Sequence, residues 1–211
     1  ANASPHDYAL RPSEAASLQA ADLIFWTSSE LTPWLSRAAH SLAKDARSVE
    51  LMKSAGTRVL GFRDSIEHTP ALEAGSEQAR HKYEHEVQHE HDSNDAIDPH
   101  GWLDPVNAQH WLHLIARELS EFDPDNARIY QDNADDEIEK IDQLNELVAL
   151  QLDSLTHRPY IVFHDSYRYF EERFNFHSTA AISLADGEHP GINRLNSLRD
   201  ILARHPGACV F

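Results

Sequence analysis

Cysteine is almost absent from this chain: Cys209 is the only one. That excludes an internal disulfide and any Cys-rich zinc finger. Positive charge is also scarce, with 18 Lys and Arg against 35 Asp and Glu and a formal charge of -17. Such a chain repels nucleic acid and anionic lipid headgroups, so no nucleic-acid partner is expected and cations are the natural ligands. No apolar run approaches the roughly 20 residues of a membrane span. The opening Ala1-Asn-Ala-Ser-Pro5 lacks a basic and apolar leader. Missing too are G-x-S-x-G, a Gly-rich phosphate loop and C-x-x-C, and the chain reads as a non-enzyme. The abrupt start at Ser4-Pro-His-Asp-Tyr8 and the strand-like Ala208-Cys-Val-Phe211 predict a piece of a longer protein, truncated at both ends.

Histidine, by contrast, is abundant at 15 residues. With thiolates excluded, imidazole and carboxylate remain as the metal chemistry. Apolar residues reach 41%, enough for a packed core in one large domain or two small ones.

The hydrophobic pattern predicts an α/β fold. Ser13 is placed as the cap of a first helix through Ala21, followed by a buried strand at 22–27, a helix over 31–42 and a strand at 58–62. Pro105 opens a helix with Trp111, Leu114, Ile115 and Leu119 on its apolar face. From 123 to 155, Ile129, Ile138, Ile141, Leu144, Leu147, Val148 and Leu152 recur at spacings of three and four, which predicts one long amphipathic helix. Then come a strand at Tyr160–Phe163, helices from Ser166 and Ile192, and a strand near Val210. The expected organisation is an N-terminal lobe over 1–122 whose first strand is missing, with a His-rich loop at about 67–99. A rigid linking helix over 123–156 and a partial C-terminal lobe over 157–211 follow.

Three histidines stand at element junctions: His6 before the first helix, His100 before Trp102, and His164 directly after a strand. In open α/β sheets ligands gather at the carboxyl ends of strands, where His164 falls. Asp7, Asp104 and Asp165 lie beside or near them and suit two roles equally, accepting from a free ring nitrogen or capping the adjacent helix. Glu30 and Trp34 read as packing and surface residues. Asp165 and Ser166 beside His164 do not make a hydrolase triad, because adjacent side chains seldom converge on one another.

The segments Ser4-Pro-His-Asp-Tyr-Ala-Leu-Arg-Pro12, His100-Gly-Trp-Leu-Asp-Pro105 and Val162-Phe-His-Asp-Ser-Tyr167 occur in an order that resembles the zinc and manganese solute-binding proteins of bacterial ABC transporters. The zinc branch is the closer match. The likeness runs along the whole chain, including Ala21-Asp-Leu-Ile-Phe25, Glu30-Leu-Thr-Pro-Trp-Leu35 and Glu188-His-Pro-Gly-Ile-Asn-Arg-Leu195. The resemblance implies two α/β lobes joined by a long helix, with Zn2+ as transported substrate held by His6, His100 and His164. It also implies a periplasmic, monomeric protein that delivers zinc to a membrane permease. Three neutral imidazoles leave one position of a tetrahedral zinc site open, whereas manganese sites want more oxygen ligands. Some zinc-branch relatives carry a glutamate before the first histidine; Pro5 stands there in this chain. In other relatives an aspartate serves, at a place beyond Phe211, and in some the equivalent of Cys209 pairs with a cysteine near the C-terminus. Protons compete with metal for imidazole, so zinc affinity is expected to fall below about pH 6.5.

A second histidine cluster, His81, His85, His89 and His91 among Glu84, Glu86, Glu90 and Asp92, is expected to capture zinc weakly from a mobile loop. Within it, His85-Glu86-Val87-Gln88-His89 matches the H-E-x-x-H zinc-protease motif. Only Tyr83 and Val87 are apolar between Arg80 and Asp92, too few to hold a catalytic helix rigid, so protease chemistry is the lesser reading.

Overall fold

A computed structural model describes residues 5–63, 65–68, 97–155, 158–184 and 190–211. The His-rich cluster at 81–91 and its H-E-x-x-H segment lie outside these residues. Contacts group the chain into two units, one of Ala1–Leu60, Ile97–Thr156 and Ser166–Phe176, the other of Gly61–Ala96, His157–Asp165 and His177–Phe211. The two units therefore interleave along the sequence.

The first unit opens with α1 (Pro12–Gln19). Pro12 sits at the first helical position, where its missing N–H costs nothing, and Glu14 turns back to accept the Arg11 backbone N–H at 2.9 Å. The cap is thus built from Arg11 and Glu14, not from Ser13 as the sequence suggested. Strand β1 (Leu23–Trp26) pairs in parallel with β2 (Arg47–Glu50), Ile24 opposite Ser48 and Phe25 opposite Val49. Between them α2 (Pro33–Leu42) lays Ala39 on Ile24 and Ala43, with Leu18, Ala21, Trp26 and Ala46 around the cluster. The periodicity missed β2 because Val49 is its only apolar residue.

The strand expected at 58–62 is not formed among residues 58–60. Its backbone is satisfied by side chains instead: Arg58 donates to Asn107 Oδ1 at 2.7 Å, and Leu60 donates to the Tyr169 hydroxyl at 2.8 Å. Asn107 Nδ2 returns a bond to the Arg58 carbonyl at 3.0 Å. A buried backbone needs partners, but a strand is only one way to supply them.

Helix α3 (Pro105–Phe122) packs along α4 (Ala127–Asp153), and buries Trp111 and Leu114 against Leu51, Met52 and Tyr169. The 27 residues of α4 make a rod about 40 Å long at 1.5 Å per residue. Its expected apolar stripe is only partly used: Ala134 is its buried residue, while Ile129, Leu144 and Leu147 stay more than half exposed. The short α5 (Arg168–Phe174) ends on Asn175 in the left-handed conformation at φ 49°, a polar residue that tolerates this helix stop.

In the second unit β3 (Tyr160–His164) lies between β4 (Ala180–Ser183) and β5 (Cys209–Val210), all parallel. Ile161 faces Ala180 and Val210 across the two ladders, and α6 (Ile192–Arg204) covers the sheet with Leu198 and Ile201. Strand β4, made of small residues, was also not anticipated. Among the described residues no helix is long and apolar enough to cross a membrane.

Candidate metal centre

His100 is buried at 3% exposure, and its environment is built by the chain immediately around it. One oxygen of Asp98, itself 1% exposed, accepts two hydrogen bonds: from the His100 backbone N–H at 3.0 Å and from His100 Nδ1 at 2.7 Å. Asp98 is held in turn, its N–H donating to the Leu60 carbonyl at 2.9 Å and its carbonyl accepting from the Tyr169 hydroxyl at 2.9 Å. Burial pushes the Tyr169 phenol up to about 12.

The turn that follows, Gly101–Leu103, is clamped from the start of α3. Asn107 Nδ2 donates to the Gly101 carbonyl at 3.0 Å. A side chain at position 101 would run into Met52 Sδ, so the glycine lets this turn approach Met52 closely. Asp104 is fully buried. It caps α3 by accepting from Val106 N–H at 3.1 Å and takes a two-pronged ion pair from Arg173 at 2.7 and 2.9 Å. Of its two anticipated roles, the structure gives it the cap.

His6 lies in a half-buried turn, its ring centroid 5.7 Å from that of His100. The segment is tied down by Trp34, whose indole N–H donates to the Pro5 carbonyl at 2.8 Å and whose ring packs 5.3 Å from that of Tyr8. The Tyr8 hydroxyl meets both oxygens of Glu14 at 2.8 Å. Arg11 pairs with the same carboxylate. Arg11, and then Tyr8, hold the Glu14 carboxyl well below the usual range, at about 2. Trp34, read from the sequence as a packing residue, is thus an anchor for the His6 segment. Asp7 is exposed.

His164 is the last residue of β3, in register with Ser183 of β4. The next residue, Asp165, donates its backbone N–H to the Ser183 carbonyl at 3.0 Å. Its carboxylate takes Arg63 Nη1 at 2.5 Å. His68 lies nearby, with Nδ1 2.6 Å from Ser178 Oγ.

Within the first unit His6 and His100 are brought together, and in the second His164 ends the central strand β3. Asp98 was not anticipated. The signal available for it was Asp98-Pro99-His100, a carboxylate two residues ahead of a histidine across a rigid proline.

The whole chain, residues 1–211, matches the family model described as zinc-uptake complex component A, periplasmic. Among curated relatives, the high-affinity zinc uptake system protein ZnuA of Paracoccus denitrificans is 38% identical, the match covering 100% of this chain and 66% of that protein. The protein of the same name from Brucella abortus is 33% identical over 99% of this chain and 66% of its own length. The chain therefore spans just under two thirds of these relatives. Among solved structures, a Zn(II)-bound mutant variant of Streptococcus pneumoniae AdcAII superposes with a TM-score of 0.74 at 21% identity, covering 100% of this chain and 70% of that one.

Proposed function

The chain belongs to the family of the periplasmic zinc-uptake complex component A, and from that premise we propose that it is the zinc-capturing solute-binding protein of an ABC transporter. It takes up Zn2+ outside the cytoplasm, hands it to a membrane permease and carries out no reaction. Zinc is cargo here, and His6, His100 and His164 are its ligands. The observation that carries this reading is the buried His100, held by Asp98 with the His6 ring 5.7 Å away, in a chain whose whole length matches the family model. A tetrahedral ion with three imidazoles keeps one position for water or a carboxylate, and an open position suits an ion that must later be released. A manganese site would want oxygen donors, and this set of three contains none.

Zinc titration of the purified protein, with each histidine replaced by alanine in turn, tests the reading. One tight site in the parent protein and a loss greater than about 100-fold in each variant are expected, since removing even an outer partner of a ligand costs about 10–100-fold. Tight binding that survives all three substitutions would sink the assignment and point to the 81–91 cluster.

A further inference from the structure

Resting on that reading of the site, we infer that Asp98 is the positioning residue that sets which nitrogen of His100 faces the metal. A carboxylate only accepts hydrogen bonds, so the 2.7 Å contact places the ring hydrogen on Nδ1 and leaves the lone pair on Nε2. The same oxygen receives the His100 backbone N–H at 3.0 Å. The two bonds fix the ring and the main chain that carries it to one point.

Asp98 is able to do this because it is rigid. It is 1% exposed, and its own N–H and carbonyl are taken by Leu60 and Tyr169, both at 2.9 Å. Pro99 between the two residues removes one backbone degree of freedom. Three connected groups, the Tyr169 hydroxyl, Asp98 and the His100 ring, thus run from the core cluster of Leu51, Met52, Trp111 and Leu114 to the metal-facing nitrogen. Asp104 and Asp165, the carboxylates the sequence offered for this role, are engaged by Arg173 and Arg63.

The test pairs a structural readout with a binding one, on the parent protein, Asp98→Asn and Asp98→Ala. Ring 15N shifts in the metal-free parent at pH 8 should show His100 protonated on Nδ1 alone. In Asp98→Asn, an isosteric and uncharged replacement, a second population protonated on Nε2 should appear and zinc Kd should rise about 10-fold. Asp98→Ala should lose up to about 100-fold. A residue that merely supported the fold would move stability and leave the ring proton where it is. Parent His100 protonated on Nε2, or folded Asp98→Asn with the parent Kd, overturns the inference, and that second result needs no folded alanine variant. A parent protein that binds no zinc would instead overturn the functional reading on which this role depends, while tight parent binding matched by Asp98→Asn removes the positioning role alone.

Discussion

His6 and His100 sit with their rings 5.7 Å apart, yet they are held by opposite means. His100 is buried and bonded to a buried carboxylate, which is fastened to core backbone and to the core residue Tyr169. His6 rides on a surface turn fastened by Trp34, Tyr8 and Glu14, all at least partly exposed. One candidate ligand is therefore part of the folding core, and the other is attached to it. Substitutions around His100 should cost stability first, whereas substitutions around His6 should leave the fold intact and touch only metal affinity.

The largest effect should come from Asp104→Ala. Asp104 is fully buried, caps α3 directly after the His100 turn, and neutralises Arg173. Arg173 is 32% exposed, so losing its partner costs less than breaking a fully buried pair, about 1.5–3 kcal/mol, and the lost cap adds to this. Urea denaturation should show the loss, with a falling midpoint. A variant as stable as the parent would break the contrast, because it would mean the His100 side is no more integral than the His6 side.

Tyr169→Phe comes next. It leaves the Leu60 N–H without its 2.8 Å acceptor and the Asp98 carbonyl without its donor, for about 1–3 kcal/mol. The sign of its pH dependence follows from the phenol being raised to about 12 from an ordinary 10. A raised folded-state value means the contribution is complete below pH 10 and is lost as pH climbs from 10 through 12. The stability gap between parent and Tyr169→Phe should therefore narrow across that window. A gap constant from pH 8 to 12 would show that the buried hydroxyl is not what distinguishes the two proteins.

The same contrast governs what the sequence made legible. The three histidines stand out in the sequence because each falls at an element junction in a segment that resembles the same family. Strands β1 and β3 were readable as short apolar runs. Strand β2, with Val49 alone, and β4, built from small residues, depend on parallel neighbours brought in from distant sequence, and no local pattern encodes that. The segment at 58–60 looked like the start of a strand because Val59 and Leu60 lead an apolar stretch, but its partners are the side chains of Asn107 and Tyr169, 49 and 109 residues away. Asp98 was overlooked in favour of Asp7, Asp104 and Asp165. Asp104, four residues after His100, turns inward to its helix and Arg173, while Asp98, two residues before it, reaches the ring.

On the His6 side, Trp34→Phe keeps a ring against Tyr8 but removes the 2.8 Å bond to the Pro5 carbonyl. A hydrogen bond of this kind contributes a net 0.5–1.5 kcal/mol, roughly, so zinc Kd should rise about 2–10-fold while the denaturation midpoint barely moves. A large stability loss with unchanged affinity would reverse the assignment of Trp34 as an anchor for the ligand segment.

The smallest effect, and the most local, belongs to Glu14. Hydrogen bonds from Arg11 and then Tyr8 lower its carboxyl to about 2, from the ordinary 4.5. A depressed folded-state value contributes above the unfolded value and is lost as pH falls from about 4.5 through about 2. Side-chain NMR should show Glu14 titrating near the bottom of that window, with Tyr8 ring signals moving alongside. Because the group is at the surface, salt should weaken the shift. Glu14→Gln should alter zinc affinity less than Trp34→Phe does, since the turn keeps its bond from Trp34 to Pro5. If Glu14 titrated instead near 4.3 at low salt, the Tyr8–Glu14–Arg11 cluster would not persist in solution, and the contrast would rest on the Trp34 bond to Pro5.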